Sequence, residues 1–182
     1  MSLDDDTNFK IKLSRRNLRI LLVDDDKNDC ELLLAALIQA DFTHHITQFR
    51  NGAITLEYFK YTKATGSIVP HILLLDLNIP LIDGARALHR LREASSVRDL
   101  PVIILTGTDN PATRCELAHL GIFRFLKKQP DFANVISALD DFIRFYNRET
   151  TVSLGPRLRN RVNRSNLKSS RLGYFQPRRW RK

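Results

Sequence analysis

Four apolar stretches of the chain end on charged or hydroxyl-bearing residues. LRILLV (18–23) runs into Asp24-Asp25-Asp26, and HILLLD (71–76) ends on Asp76. LPVIILT (100–106) ends on Thr106 before Gly107, and IFRFLK (122–127) runs into the pair Lys127-Lys128. Carboxylates are rarely buried unless paired or metal-bound, because an ionised group loses its hydration in a core. An acid that closes a core-type run is therefore displayed for use. Carboxylates, a hydroxyl and an ammonium group together support a narrow chemistry. Mg²⁺ is held by one or two carboxylates with backbone oxygens and waters, which leaves room for phosphate oxygens. An aspartate is also a nucleophile that forms an aspartyl phosphate. Phosphoryl transfer needs chiefly positioning and charge neutralisation, which a divalent ion and a lysine supply. No His/Cys zinc spacing, glycine-rich phosphate loop or G-x-S-x-G elbow competes with this set.

The elements that must position these residues alternate along the chain. Strands are expected at 18–23, 44–49, 71–76, 100–106 and 122–127. Helices with apolar residues at helical spacing are expected at 28–40, 53–61, 84–94, 111–120 and 132–147. Asn51-Gly52 reads as a turn, and Pro111 takes a first-turn position. Continuous apolar strands alternating with helices imply a parallel sheet covered on both faces. Five such units make an α/β fold with an open, doubly wound, five-stranded parallel sheet. In sheets of this kind, sites form beyond the carboxyl ends of the strands, where the strand order reverses. All four landmark groups lie on that edge. No internal repeat suggests a solenoid instead.

A chain of 182 residues with 43% hydrophobic content suits one domain and an appendage. The net charge of +9 is unevenly spread. Residues 151–182 carry ten Lys/Arg and no Asp or Glu, which leaves 19 basic and 20 acidic residues in 1–150. The high pI therefore describes a tail rather than a basic domain. That tail holds nine apolar residues in 32, too few for a core, and ends with Tyr174, Phe175 and Trp180 among arginines. It reads as a basic, disordered extension able to meet a polyanion, whether nucleic acid or anionic membrane. No helix-turn-helix pattern suggests sequence-specific DNA reading. Cys30 and Cys115 show no metal-ligand spacing and imply no disulfide framework. The N-terminus has no apolar signal-type segment and no run approaches a membrane span, so a soluble, cytoplasmic protein is expected.

Over residues 18–148 the chain resembles the receiver domain of two-component response regulators. The matching motifs are VDDD (23–26), DLNIPLIDG (76–84), LTG (105–107) and FRFLKK (123–128), in order and in register with the strands. Singly, an Asp-Asp pair reads as a solvated turn, Thr106 as a strand-end hydroxyl and Phe125 as a core residue. The resemblance implies a flavodoxin-like receiver fold, with an N-terminal extension at 1–17 and a basic tail at 149–182. It implies Asp76 as phosphoacceptor. Asp24 and Asp25 match the acidic metal pair, with Asp25 in the direct-ligand position, and Asn78 supplies a backbone carbonyl to Mg²⁺ or Mn²⁺. Thr106 matches the hydroxyl that moves onto the phosphoryl oxygen, and Phe125 the aromatic that turns inward with it. Lys128, rather than Lys127, matches the lysine.

The implied function is a signalling switch rather than an enzyme, one that takes part in its own phosphotransfer with a sensor histidine kinase. The pattern is most similar to stand-alone regulators that partner bacterial phytochromes, with a homodimer or partner face on strand 5 and helices 4 and 5. One departure is local: Gln129 stands between Lys128 and Pro130, where the family has proline directly after its lysine. Two other classes compete. One is a receiver-like scaffold that is never phosphorylated; the other is an adaptor acting through the basic tail. Asp83 and Gly84 read as a helix start and turn, Lys127 as a solvated strand-end charge, and the five histidines are given no role.

Overall fold

The computed structural model describes residues 12–42, 45–94, 97–108 and 110–152. The basic tail beyond 152, His44 and the first eleven residues lie outside the described residues. The apolar runs form strands β1 (Ile20–Val23), β2 (Ile46–Phe49), β3 (Ile72–Asp76), β4 (Val102–Thr106) and β5 (Ile122–Lys127). The helices are α1 (Lys27–Gln39), α2 (Gly52–Thr65), α3 (Gly84–Glu93), α4 (Pro111–Leu117) and α5 (Ala133–Val152). Strand order is β2-β1-β3-β4-β5, all parallel. This is the doubly wound, flavodoxin-like order, and its reversal falls between β1 and β3.

Alternate strand residues face opposite sides, so each central strand feeds two cores. Ile20, Leu22, Ile72, Leu74, Ile103 and Leu105 pack with α1 and α5 through Leu33, Leu37, Leu139 and Phe142. Leu21, Val23, Leu73, Leu75, Val102 and Ile104 pack with α2, α3 and α4 through Phe59, Leu88, Leu91 and Leu117. Register then fixes the site edge. Val23 pairs with Leu75, Asp76 with Leu105, and Thr106 with Lys127. Carried one residue further, the β1/β3 register sets Asp24 level with Asp76.

Several boundaries differ from the sequence expectation. Asn51-Gly52 is a helix start rather than a turn: Asn51 Oδ1 accepts from the Ile54 N–H at 2.9 Å and caps α2. Gly52 is required there because a Cβ would strike Ile82 O. The same helix continues past Tyr61, because the Thr62 hydroxyl bonds Phe59 O at 3.0 Å and so enters the core satisfied; Gly66 at φ 67° ends it. The expected fourth helix is α4 followed by a 3-10 turn at Ala118–Leu120. Residues 12–17, ahead of the expected domain start, are packed onto α5. Leu13 N–H donates to Asn147 Oδ1 at 2.8 Å, and Asn147 Nδ2 donates back to Leu13 O at 2.9 Å. Arg15 meets Asp140 through Nε and Nη2 and donates to Ala40 O at 3.0 Å.

Between β3 and α3, Leu81 adopts φ 69° with 82% of its surface exposed. The left-handed region costs a non-glycine residue about 1–2 kcal/mol, while asparagine enters it more readily. Leu81→Asn should therefore raise the urea unfolding free energy by up to about 1 kcal/mol. A decrease would show that the leucine side chain contributes more by contact than its backbone costs.

Candidate functional site

Two buried carboxylates are built in the same way at the switch point. Asp24 (2% exposed) follows β1, and Asp76 (5% exposed) closes β3. Asp24 Oδ1 accepts from the Asp26 N–H at 3.0 Å, and Asp76 Oδ1 accepts from the Asn78 N–H at 2.9 Å. These two-residue loops are Asx-type turns, which fix a carboxylate by its own backbone. The other oxygen of each faces Lys128. Lys128 Nζ lies 2.7 Å from Asp24 Oδ2, 2.7 Å from Asp76 Oδ2 and 2.8 Å from Asp29 Oδ2. An ammonium has three protons, and here it has three carboxylate acceptors. The lysine is held at its root as well, by its backbone N–H on Thr106 O at 2.8 Å.

One ammonium does not balance this charge. Burial pushes the Asp24 carboxyl up, by more than Lys128 and the Asp26 N–H pull it down. Burial pulls the Lys128 ammonium down, but its bonds to Asp24, Asp29 and Asp76 outweigh that and leave it above the usual lysine range. Burial thus sets the direction for Asp24, and the three acids that share the ammonium set it for Lys128. Asp25 is exposed, and its carboxylate joins those of Asp24 and Asp76 with ligand oxygens all within 4.8 Å of one another. Three hard oxygen donors with excess negative charge fit Mg²⁺ or Mn²⁺.

The remaining sequence candidates are placed as follows. Asn78 lies two residues after Asp76 and is exposed, its N–H on the Asp76 carboxylate. The Thr106 hydroxyl is turned to its own loop, where it donates to Thr108 O at 2.8 Å, and it is not among the groups on Lys128. Phe125 is half-buried, with the Arg114 guanidinium 5.5 Å from its ring centre. It pairs with Ile104, two residues before Thr106, so Phe125 and Thr106 share one face of the sheet. Lys127 is exposed, and it is Lys128 that reaches the carboxylates. The loop after β5 holds no cis peptide bond; Asn134 Nδ2 ties Lys127 O at 2.7 Å, and Phe132 N–H bonds Gln129 O at 3.1 Å.

Asp29 escaped the sequence reading. The available signal was its place in the first helical turn behind Asp26, whose Oδ1 accepts from the Asn28 and Asp29 N–H groups at 2.8 and 3.0 Å. That cap brings α1 off the end of β1 with its first turn over the site. Gly84 completes the frame: a Cβ there would strike Asp76 O and lie 2.7 Å from Leu77 Cα.

The response regulator receiver domain family matches residues 20–140. The chain belongs to that family. Relatives include response regulator Rcp1 of Synechocystis sp., 26% identical over 127 residues, covering 68% of this chain and 86% of Rcp1. A probable methanogenesis regulatory protein, FilR2 of Methanothrix harundinacea, is 33% identical over 87 residues, covering 48% of this chain. The match spans only 56% of the length of FilR2. Among solved structures, the bacteriophytochrome response regulator RtBRR superposes with a TM-score of 0.61 at 31% identity, covering 68% of this receiver chain and 77% of that one. The Mn²⁺-bound form of Rcp1 superposes with a TM-score of 0.59 at 25% identity, covering 76% and 99%. The similarity to phytochrome-associated regulators expected from the motifs is thus borne out. No helix among the described residues is long and apolar enough to cross a membrane.

The raised Asp24 pKa has a definite sign for stability. A raised folded-state value contributes stability below the ordinary carboxylate range, and that contribution is lost as pH rises through the folded value. At neutral pH the Asp24 charge is therefore a net cost. Asp24→Asn keeps an oxygen for Asp26 and removes the charge, while Lys128 retains Asp29 and Asp76. The metal-free variant should melt about 2–4 °C higher at pH 7, the shift that about 1 kcal/mol produces in a domain of this size. Added Mg²⁺ should narrow the gap by stabilising the natural protein more, and a lower melting point for the variant would contradict the sign.

Proposed function

We propose that Asp76 accepts a phosphoryl group from the phosphohistidine of a sensor histidine kinase, in a reaction that requires Mg²⁺ or Mn²⁺. The observation that carries this is the Asp76 carboxylate itself. It is buried at the end of a central strand, each oxygen is held by one donor, and a lysine and two further carboxylates stand beside it. Asp24, Asp25, Asp76 and the Asn78 carbonyl are the groups that would hold the ion. When bound, the ion would supply the positive charge without which these carboxylates and an anionic donor repel.

The protein's own part is positional. An Asp76 carboxylate oxygen attacks phosphorus, forming the O–P bond as the P–N bond to the donor imidazole breaks. The imidazole nitrogen keeps the bonding pair, and because its other ring nitrogen carries a proton the kinase histidine leaves neutral, so no general base is required of this chain. Lys128, kept charged by its carboxylates, is placed to take a phosphoryl oxygen as Asp76 loses its own charge to the new bond. Thr106 then exchanges Thr108 O for the phosphoryl oxygen, and Phe125, on the same sheet face, turns inward with it. The surface of α4, β5 and α5 changes in consequence, and partner or homodimer contacts belong there.

The likeness to the bacteriophytochrome response regulator RtBRR supports a phytochrome-type kinase as the donor, and a cytoplasmic site of action belongs to the same proposal. The operating unit is residues 18–148, to which residues 12–17 are tied. The charge segregation at 151–182 supports a separate contact of the tail with a polyanion, nucleic acid or anionic lipid. The intact carboxylate–lysine cluster weighs against a receiver-like scaffold that is never modified.

Incubation with acetyl phosphate and Mg²⁺ should add one acid-stable, hydroxylamine-labile phosphate to the natural protein. Asp76→Asn or excess EDTA should each reduce labelling to background. Label that persists in the variant would reassign the acceptor, and label that persists in EDTA would remove the metal.

A further inference from the structure

The Lys128 ammonium spends all three of its protons on carboxylates, yet those carboxylates are not equivalent. Asp24 and Asp76 belong to the set whose oxygens lie within 4.8 Å of one another and suit a divalent ion. Asp29 stands outside that set. It comes from the first turn of α1, where its own N–H is pinned by Asp26 Oδ1 at 3.0 Å, so the base of its side chain is fixed. Its side chain is 34% exposed, against 14% for Lys128, 2% for Asp24 and 7% for Asp76. Asp29 therefore covers the ammonium on the solvent side, while Asp24 and Asp76 draw it inward.

We propose that Asp29 is a positioning residue that keeps Lys128 over the reacting carboxylate while the other two acids are committed elsewhere. This rests on Asp76 being the acceptor. With an ion drawing on Asp24, and with Asp76 surrendering its charge to the phosphoryl group, Asp29 is the one partner of Lys128 left unchanged. Its bond holds the long lysine chain in place, and the ammonium N–H that bonds Asp76 then turns its hydrogen bond to a phosphoryl oxygen, the proton staying on nitrogen. Without Asp29, water takes that place and the lysine gains the freedom of its four-carbon stem.

An acid in the first turn of a helix also favours the helix dipole, and the test separates that role from the proposed one. Labelling by acetyl phosphate at saturating Mg²⁺ is measured for the natural protein, Asp29→Ala, Asp29→Asn, Lys128→Ala and the Asp29→Ala/Lys128→Ala double variant. Asp29→Ala should label about tenfold more slowly, as expected for loss of a charge-assisted hydrogen bond. Asp29→Asn, which still offers an oxygen, should recover part of the loss. In the Lys128→Ala background the Asp29→Ala change should add nothing, since there is no ammonium left to position. As a second measurement, an amine-reactive acetylating reagent should modify Lys128 faster, relative to Lys127, in Asp29→Ala than in the natural protein. An unchanged labelling rate for Asp29→Ala would overturn the proposal while leaving the acceptor in place. So would an equal loss in both backgrounds, or an unchanged Lys128 modification rate. No label on the natural protein would overturn the Asp76 assignment itself, and this proposal with it.

Discussion

A single ammonium group joins the ends of three elements. Lys128, just past β5, bonds acids from the end of β1, the first turn of α1 and the end of β3. A buried ion pair is a poor source of stability, because desolvation offsets most of the Coulombic gain. What the lysine supplies is convergence. Without it, the two buried carboxylates that the β1/β3 register sets level at the switch point would repel each other with no cation between them. With it, the cluster stays charged but under-neutralised, and a further cation or an anionic group that brings one has a place.

The scaffold gives this cluster little freedom on the protein side. Asp24 and Asp76 are each pinned by a backbone N–H two residues on, and Lys128 by Thr106 O. Gly84 lets the start of α3 lie against the backbone of Asp76, and Asp83 caps that helix through the Arg86 N–H at 2.8 Å. The Thr106 side chain, by contrast, bonds only its own loop, and the Phe125 ring is only half-buried. Under the proposed function, rigid carboxylates beside a hydroxyl with a local, replaceable partner would let added charge move the hydroxyl before it moves the acids.

Much of this was legible in the residues. β2 and β5, at the sheet edges, are only partly buried, while continuous apolar runs identified β1, β3 and β4, since strands buried on both faces carry no alternating pattern. The acids that close them located the site. The choice of Lys128 over Lys127 agrees with the geometry, because Lys127 is the last residue of β5, in register with Thr106, and points its charge to solvent. Other features depended on tertiary context. Asn51-Gly52 has turn composition, but Asn is as good a cap as a turn former, and the close pass of Ile82 O decides what Gly52 is for. The second helix, expected to end at 61, runs on to Thr65, with the Thr62 hydroxyl satisfied on Phe59 O. Asp29 drew no reading of its own, because its role depends on the reach of Lys128 to the first turn of α1.

Under the proposed function the Asp76 carboxylate, among five neighbouring acids, is the group that reacts. Borohydride reduction of acetyl phosphate-treated protein converts an acyl phosphate to an alcohol and marks the residue permanently, so peptide mass spectrometry reads it directly. Reduction is expected at position 76 alone, dependent on Mg²⁺. Reduction at Asp24, Asp25, Asp26 or Asp29, or at none of the five, would contradict it.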